Sequence, residues 1–155
     1  MSSSEYLILN IGQHHFAANV SNIQDVIRSG NKTPVPLAKK SIGGLLNLRG
    51  HIVTEINVSE TLGIKKETDT GFSIVINNND ELYSLPFDGI GDVIDVSASD
   101  IEPLPETIQR SWHQVAKGVY RMNNQLIVIL DLNYFVDMLI ENNGKDFDEI
   151  DIKNA

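Results

Sequence analysis

The stretch SNIQDVI, residues 21–27, returns 67 positions later as DGIGDVI, residues 88–94, with Ile, Asp, Val and Ile at matching places. Upstream of each copy stands the same plan. YLILNIGQHHFAANV (6–20) and FSIVINNNDELYSLPF (72–87) each read as a strand, a polar turn and a second strand. Downstream the match resumes at an offset of 74, where Gly44 meets Gly118, Ile52 meets Leu126, Ile56 meets Leu130, Asn57 meets Asp131 and Val58 meets Leu132. The chain is a duplication of one β-rich unit. Neither copy is long enough to bury an apolar face alone, so each sheet must curl into a barrel or pack on its sister.

Strand signals dominate the rest. EYLILNIG, HHFAANV, HIVTEINV, FSIVINN, ELYSLPF and QLIVILDL are β-branched or aromatic runs separated by Gly, Asn, Asp and Pro. One segment, residues 132–142, has helical spacing, with Leu132, Phe135, Val136 and Leu139 on one face. The class is mostly β with a short C-terminal helix. Within HIVTEINV the alternation predicts that Ile52, Thr54, Ile56 and Val58 face a core and that Val53, Glu55 and Asn57 do not. Glu55 stands where the second copy has Ile129, and an unpaired buried carboxylate costs several kcal/mol, so an edge or surface place is expected.

The turns of the second blocks are NLRGH and RMNNQ. Gly50 supplies a positive φ in one, and Asn123-Asn124 in the other. This places Arg49 at a hairpin tip, where it is either incidental or presented to something outside.

At 155 residues the chain suits one domain, which buries roughly 70% of its unfolded surface. It has no cysteine, which excludes disulfides and thiol chemistry. A formal charge of −9 opposes nucleic-acid binding. The N-terminus lacks a basic segment and its apolar run breaks at Asn10 and Gly12, so neither a signal peptide nor a membrane span is expected. The acidic end, residues 143–155, reads as a flexible tail.

Evidence for catalysis is thin. His14, His15, His51 and His113 have no metal-ligand spacing, and strand neighbours such as His14 and His15 point to opposite faces. No nucleophile elbow, phosphate loop or dinucleotide fingerprint occurs, and DGIGD matches the glycine-free SNIQD. Asp25, Glu55, Asp88, Asp92 and Asp131 offer carboxylates without a measurable separation. Trp112 suits a lid over a barrel end or, alternatively, an interface anchor.

Taken together, GGLLNLRGHIVTEINVSETLG, IQDVI, DGIGDVIDVSASDIEPLP and KGVYRMNNQLIVILDLN, in that family's order, resemble the CheW-like domain over about residues 6–140. Members usually follow the Arg-Gly turn with Pro and a Pro-apolar-apolar-Asp-Leu pattern, where this chain has Thr54, Glu55, Ile56, Asn57 and Val58. The resemblance implies two five-stranded SH3-like barrels in one domain, residues 1–142, with pseudo-repeat halves near 5–70 and 71–142. It implies no catalysis and no cofactor. It further implies a cytoplasmic adaptor, associated with receptor arrays at the inner membrane. The adaptor would couple the helical cytoplasmic tip of a chemoreceptor (a methyl-accepting chemotaxis protein) to the regulatory domain of a CheA-type histidine kinase, without membrane insertion. By the same resemblance the receptor-facing positions are Ile23, Asp25, Val26, Gly44, Arg49 and Gly50. From the residues alone, Ile23 and Val26 fit a core equally well, since Ile90 and Val93 repeat them, and Asp25, repeated as Asp92, also suits a turn cap. An adaptor of a non-flagellar pathway and a small-ligand sensor using the crevice between barrels remain the alternatives.

Overall fold

The computed structural model describes residues 3–30, 32–36, 38, 41–68 and 71–141; the tail expected over 143–155 lies outside them. The first half builds β1 (Ser3–Ile11), β2 (His14–Asn19), β3 (Asp25–Arg28), β4 (Ile42–Leu48), β5 (His51–Ile56) and α1 (Val58–Leu62). The second repeats the order with β6 (Phe72–Asn78), β7 (Glu81–Phe87), β8 (Gly89–Ser97), β9 (Ala116–Met122), β10 (Gln125–Leu130) and α3 (Leu132–Glu141). Between β8 and β9 a short helix, α2 (Arg110–His113), is added.

The sheets do not coincide with the sequence halves. One sheet runs β8-β1-β2-β10-β9 and the other β3-β6-β7-β5-β4, so each half donates its opening hairpin to the other half's closing strands. The exchange creates one parallel contact per sheet, β10 on β2 and β5 on β7. A long connection is required there, because parallel neighbours cannot be joined by a tight turn. Each ladder then curls back on itself. Thr33, just beyond β3, bridges Leu45 on β4 at the far end of one order, and Glu102, beyond β8, bridges Val119 on β9 in the other.

Glycine permits both closures. A Cβ on Gly44 would lie 2.9 Å from the Thr33 carbonyl oxygen, and one on Gly118 would lie closer still to that of Glu102. The match of Gly44 with Gly118 therefore records a shared close approach of backbone to backbone.

The curled sheets have two apolar sides. Tyr6, Ile8, Ala17, Ile127 and Ile129 fill the inside of the first sheet. Its other side, with Leu9, Phe16, Val128 and Leu130, packs on Ile56, Ile74, Ile76 and Leu85 of the second sheet in one continuous core. Helix α3 seals that core with Leu132, Phe135, Val136 and Leu139, the face expected from their spacing. Trp112 lies inside it: the ring is buried against Phe16, and Nε1 donates to the Leu62 carbonyl oxygen at 2.8 Å. It joins the end of α1 to the second half.

Two expectations for β5 need correction. Ile52 was expected in a core but is 70% exposed, whereas Val53 and Glu55, expected to face away, are buried. A strand with two buried sides breaks the inside-outside rule, and Ile52 projects past the edge of the inter-sheet core just as its counterpart Leu126 does. Glu55 is buried because it is not unpaired: Lys32, from a segment outside the duplicated blocks, reaches its Oε2.

Asn57 and Asp131 start α1 and α3 in the same way. Asn57 Oδ1 accepts from Glu60 N at 3.4 Å, and Asp131 Oδ1 from Tyr134 N at 3.0 Å. Gly63, at φ 72°, ends α1.

Candidate protein-docking site

The β4–β5 turn consists of Arg49 and Gly50 at φ 52° and 87°. Positive φ at both central residues is the turn that matches the twist of a two-stranded ribbon, and Asn123-Asn124 makes the same turn in the second copy. Asn47 Oδ1 fastens it by accepting from Gly50 N at 3.0 Å. Glycine and asparagine tolerate this backbone; arginine does so at a cost of about 1–2 kcal/mol. Arg49 is thus a bulky cation held in a left-handed conformation at an exposed tip.

That cation has a partner within the chain. Arg49 Nη1 donates to Asp25 Oδ2 at 2.8 Å, while Asp25 Oδ1 accepts from Val26 N, also at 2.8 Å. Strand β3 and hairpin β4–β5 stand at opposite ends of their ladder, so the ion pair spans the seam where the sheet closes. The Arg49 hydrogen bond, with that of Val26 N–H second, holds the Asp25 carboxyl below the usual carboxylate range. Arg49 remains 72% exposed, leaving most of its guanidinium open to solvent.

Asp25, Val26, Arg49 and Gly50 are thus one surface, with Val26 exposed beside the ion pair. Ile23 sits at its margin, half-buried against the main core. Gly44 is not on that surface; it is buried under the Thr33 bridge, where its lack of a Cβ lets the seam close.

A family model described as the CheW-like domain matches residues 5–139. The chain belongs to the CheW-like domain family. It is 28% identical over 123 residues to the chemotaxis protein CheW of Helicobacter pylori, covering 77% of this chain and 73% of that protein. It is 25% identical over 141 residues to the chemotaxis protein CheW of Thermotoga maritima, covering 90% and 92%. The crystal structure of the scaffolding protein TtCheW from Thermoanaerobacter tengcongensis superposes with a TM-score of 0.78 at 23% identity, over 94% of this chain and 97% of that one. The last comparison supports the fold with its two five-stranded sheets.

His14 packs edge-on against Trp112, with ring centroids 5.3 Å apart, and no cluster of three or more His, Asp or Glu able to hold a metal occurs among the described residues. None of the described helices is long and apolar enough to cross a membrane.

Sequence reasoning did not single out three exposed or half-buried residues near the Asp25–Arg49 pair in the chain. Asn22 and Gln24 flank Ile23, and Ile52 lies three residues beyond the arginine. In the second copy Gly89 and Gly91 stand at the places of the first two.

Proposed function

We propose that this chain is a non-catalytic chemotaxis adaptor that holds a chemoreceptor's cytoplasmic helical tip and the regulatory domain of a CheA-type histidine kinase. The observation that carries the proposal is the Arg49–Asp25 pair: a strained, largely exposed cation placed on a closed β seam next to the exposed Val26. Membership of the CheW-like domain family supports the adaptor role.

The physics of such a site is a division of labour. Apolar contacts at Val26 and Ile23 supply most of the affinity, while Arg49 orients a partner carboxylate and speeds encounter. A guanidinium has five N–H donors and Asp25 takes one, so Arg49 can bond a second carboxylate without leaving the first. Transmission of receptor state then requires contacts that differ between the two states, since equal affinity for both shifts nothing. The adaptor works in the cytoplasm at receptor arrays, brought there by its partners.

The test is co-sedimentation of the full chain with a receptor-tip hairpin and, separately, with the kinase regulatory domain. Retention of both supports the proposal; retention of neither removes it.

A further inference from the structure

The duplication gives β3 and β8 surfaces that are alike in plan and opposite in charge. On β3 stand Asp25, Val26 and Arg28; 67 positions on, β8 carries Asp92, Val93 and Asp95. The ladders keep the match, since Val26 pairs with Ile74 on β6 and Val93 with Leu7, the residue related to Ile74 by the same offset, on β1. Val93 is 51% exposed, more than Val26 at 39%.

In the first copy this surface has its own cations. Arg49 Nη1 reaches Asp25 Oδ2 at 2.8 Å from the hairpin tip, and Arg28 lies over the Phe72 ring, 5.2 Å from its centroid. In the second copy both are gone. Asn123 stands at the place of Arg49, at φ 50° against 52°, so the turn is kept and only the guanidinium is missing. Asp95 replaces Arg28 and Glu5 replaces Phe72, which sets two exposed carboxylates opposite each other across β8 and β1. The second hairpin does carry an arginine, Arg121, but its Nε donates to Glu102 Oε2 at 2.9 Å, beyond the end of β8. The carboxylates of Glu5, Asp92 and Asp95 make no hydrogen bond or ion pair among the described residues.

Like charges opposite each other on paired strands destabilise a sheet, a cost that an incoming cation removes. The first copy shows what the place binds: an aspartate there, followed by an exposed valine, accepts a guanidinium. We infer that the β8 surface formed by Asp92, Val93 and Asp95, with Glu5 beside it, is a docking site for a basic segment of another protein, whose arginine pairs with Asp92 as Arg49 pairs with Asp25. An apolar side chain next to that arginine covers Val93, and a further cation meets Asp95 and Glu5. The site stands apart from the Asp25–Arg49 surface, which offers a cation and selects a carboxylate. The two copies thus select partner groups of opposite charge.

The probe is the capped pentapeptide NLRGH, residues 47–51, which carries the tip arginine with its flanking leucine, titrated into the isotopically labelled full chain. The expected result is a saturable shift of the Asp92 carboxyl and Val93 methyl signals that fades as salt rises. Asp92→Asn should weaken binding about tenfold, the scale of one charge-assisted hydrogen bond. Asn123→Arg, which restores the first copy's arginine within the chain, should lower the Asp92 titration midpoint and exclude the peptide. The inference is overturned by no shift at Asp92 and Val93, by unchanged affinity in Asp92→Asn, or by an Asp92 titration that Asn123→Arg leaves in place. Sedimentation of the full chain without peptide covers the remaining occupant. Self-association that is lost in both Arg49→Asn and Asp92→Asn would make the occupant a second copy of this chain and remove the outside partner.

Discussion

Lys32 closes an ion pair on Glu55 inside the second sheet, at the position where Ile129 sits in the apolar interior of the first. The two interiors differ at three matched places. Tyr6, Ala17 and Ile129 of the first are matched by Ser73, Ser84 and Glu55 in the second, all buried. Burying a carboxylate is tolerable only with a partner, and Lys32 supplies it at a mouth where its side chain remains 38% exposed.

Lys32→Ala leaves that carboxylate buried and alone. The expected loss is about 2 kcal/mol, below the usual 3–5 for a broken buried pair because solvent reaches the lysine. Combining Lys32→Met with Glu55→Ile removes both charges and should restore most of the loss or exceed the parent, as read by the midpoint of urea unfolding. Equal midpoints for parent and Lys32→Ala would show the pair to be inconsequential.

Gly118→Ala should destabilise by about 2 kcal/mol, and Gly44→Ala by less, because the new methyl group meets a backbone carbonyl more closely at 118 than at 44. Thermal unfolding of the two variants checks the order. The reverse order contradicts the seam geometry.

Asp25 titrates below the usual range when folded, so its contribution to stability is present above the ordinary aspartate pKa and is lost as pH falls through the folded value. Arg49→Asn should raise the Asp25 titration midpoint, followed by carboxyl carbon NMR. The variant also installs the residue of the second copy's turn and relieves about 1 kcal/mol of left-handed strain, so its melting temperature should not fall far.

Tyr83 is pushed up to about 12 by burial first and by its hydrogen bond to Glu81 Oε2 second. A raised folded value means that its protective effect is complete below the unfolded value of 10.0 and is lost as pH rises from there to about 12. In an ultraviolet titration the last phenol to ionise before unfolding should disappear in Tyr83→Phe. Its persistence there would assign the late step to another tyrosine.

Much of this was legible in the sequence because duplication doubles each weak signal. The strand order within each copy, the α3 face and the Arg49 turn all follow from local periodicity and turn chemistry. The exchange of hairpins between sheets was not legible, since two identical plans pair equally well with themselves or with each other. Glu55 was misplaced because its partner, Lys32, is remote in pattern from the strand it serves. Ile52 was misplaced because alternation specifies which side a residue takes, not how far along the strand the covering core extends. Of the candidate site, Asp25 and Arg49 were each picked out by resemblance, but only the curled sheet brings them into contact. Gly44 has the same sequence character as a surface-turn glycine, and its burial depends on the non-local Thr33 bridge.

The adaptor account is tested most directly by the affinity of a receptor-tip hairpin for the full chain and for Arg49→Asn, measured by calorimetry beside the melting temperatures of both. The account predicts binding by the parent, at least tenfold weaker binding by the variant, a salt dependence that the variant loses, and closely similar melting temperatures. Unchanged affinity with a lowered melting temperature would make Arg49 a seam residue and contradict its role in docking.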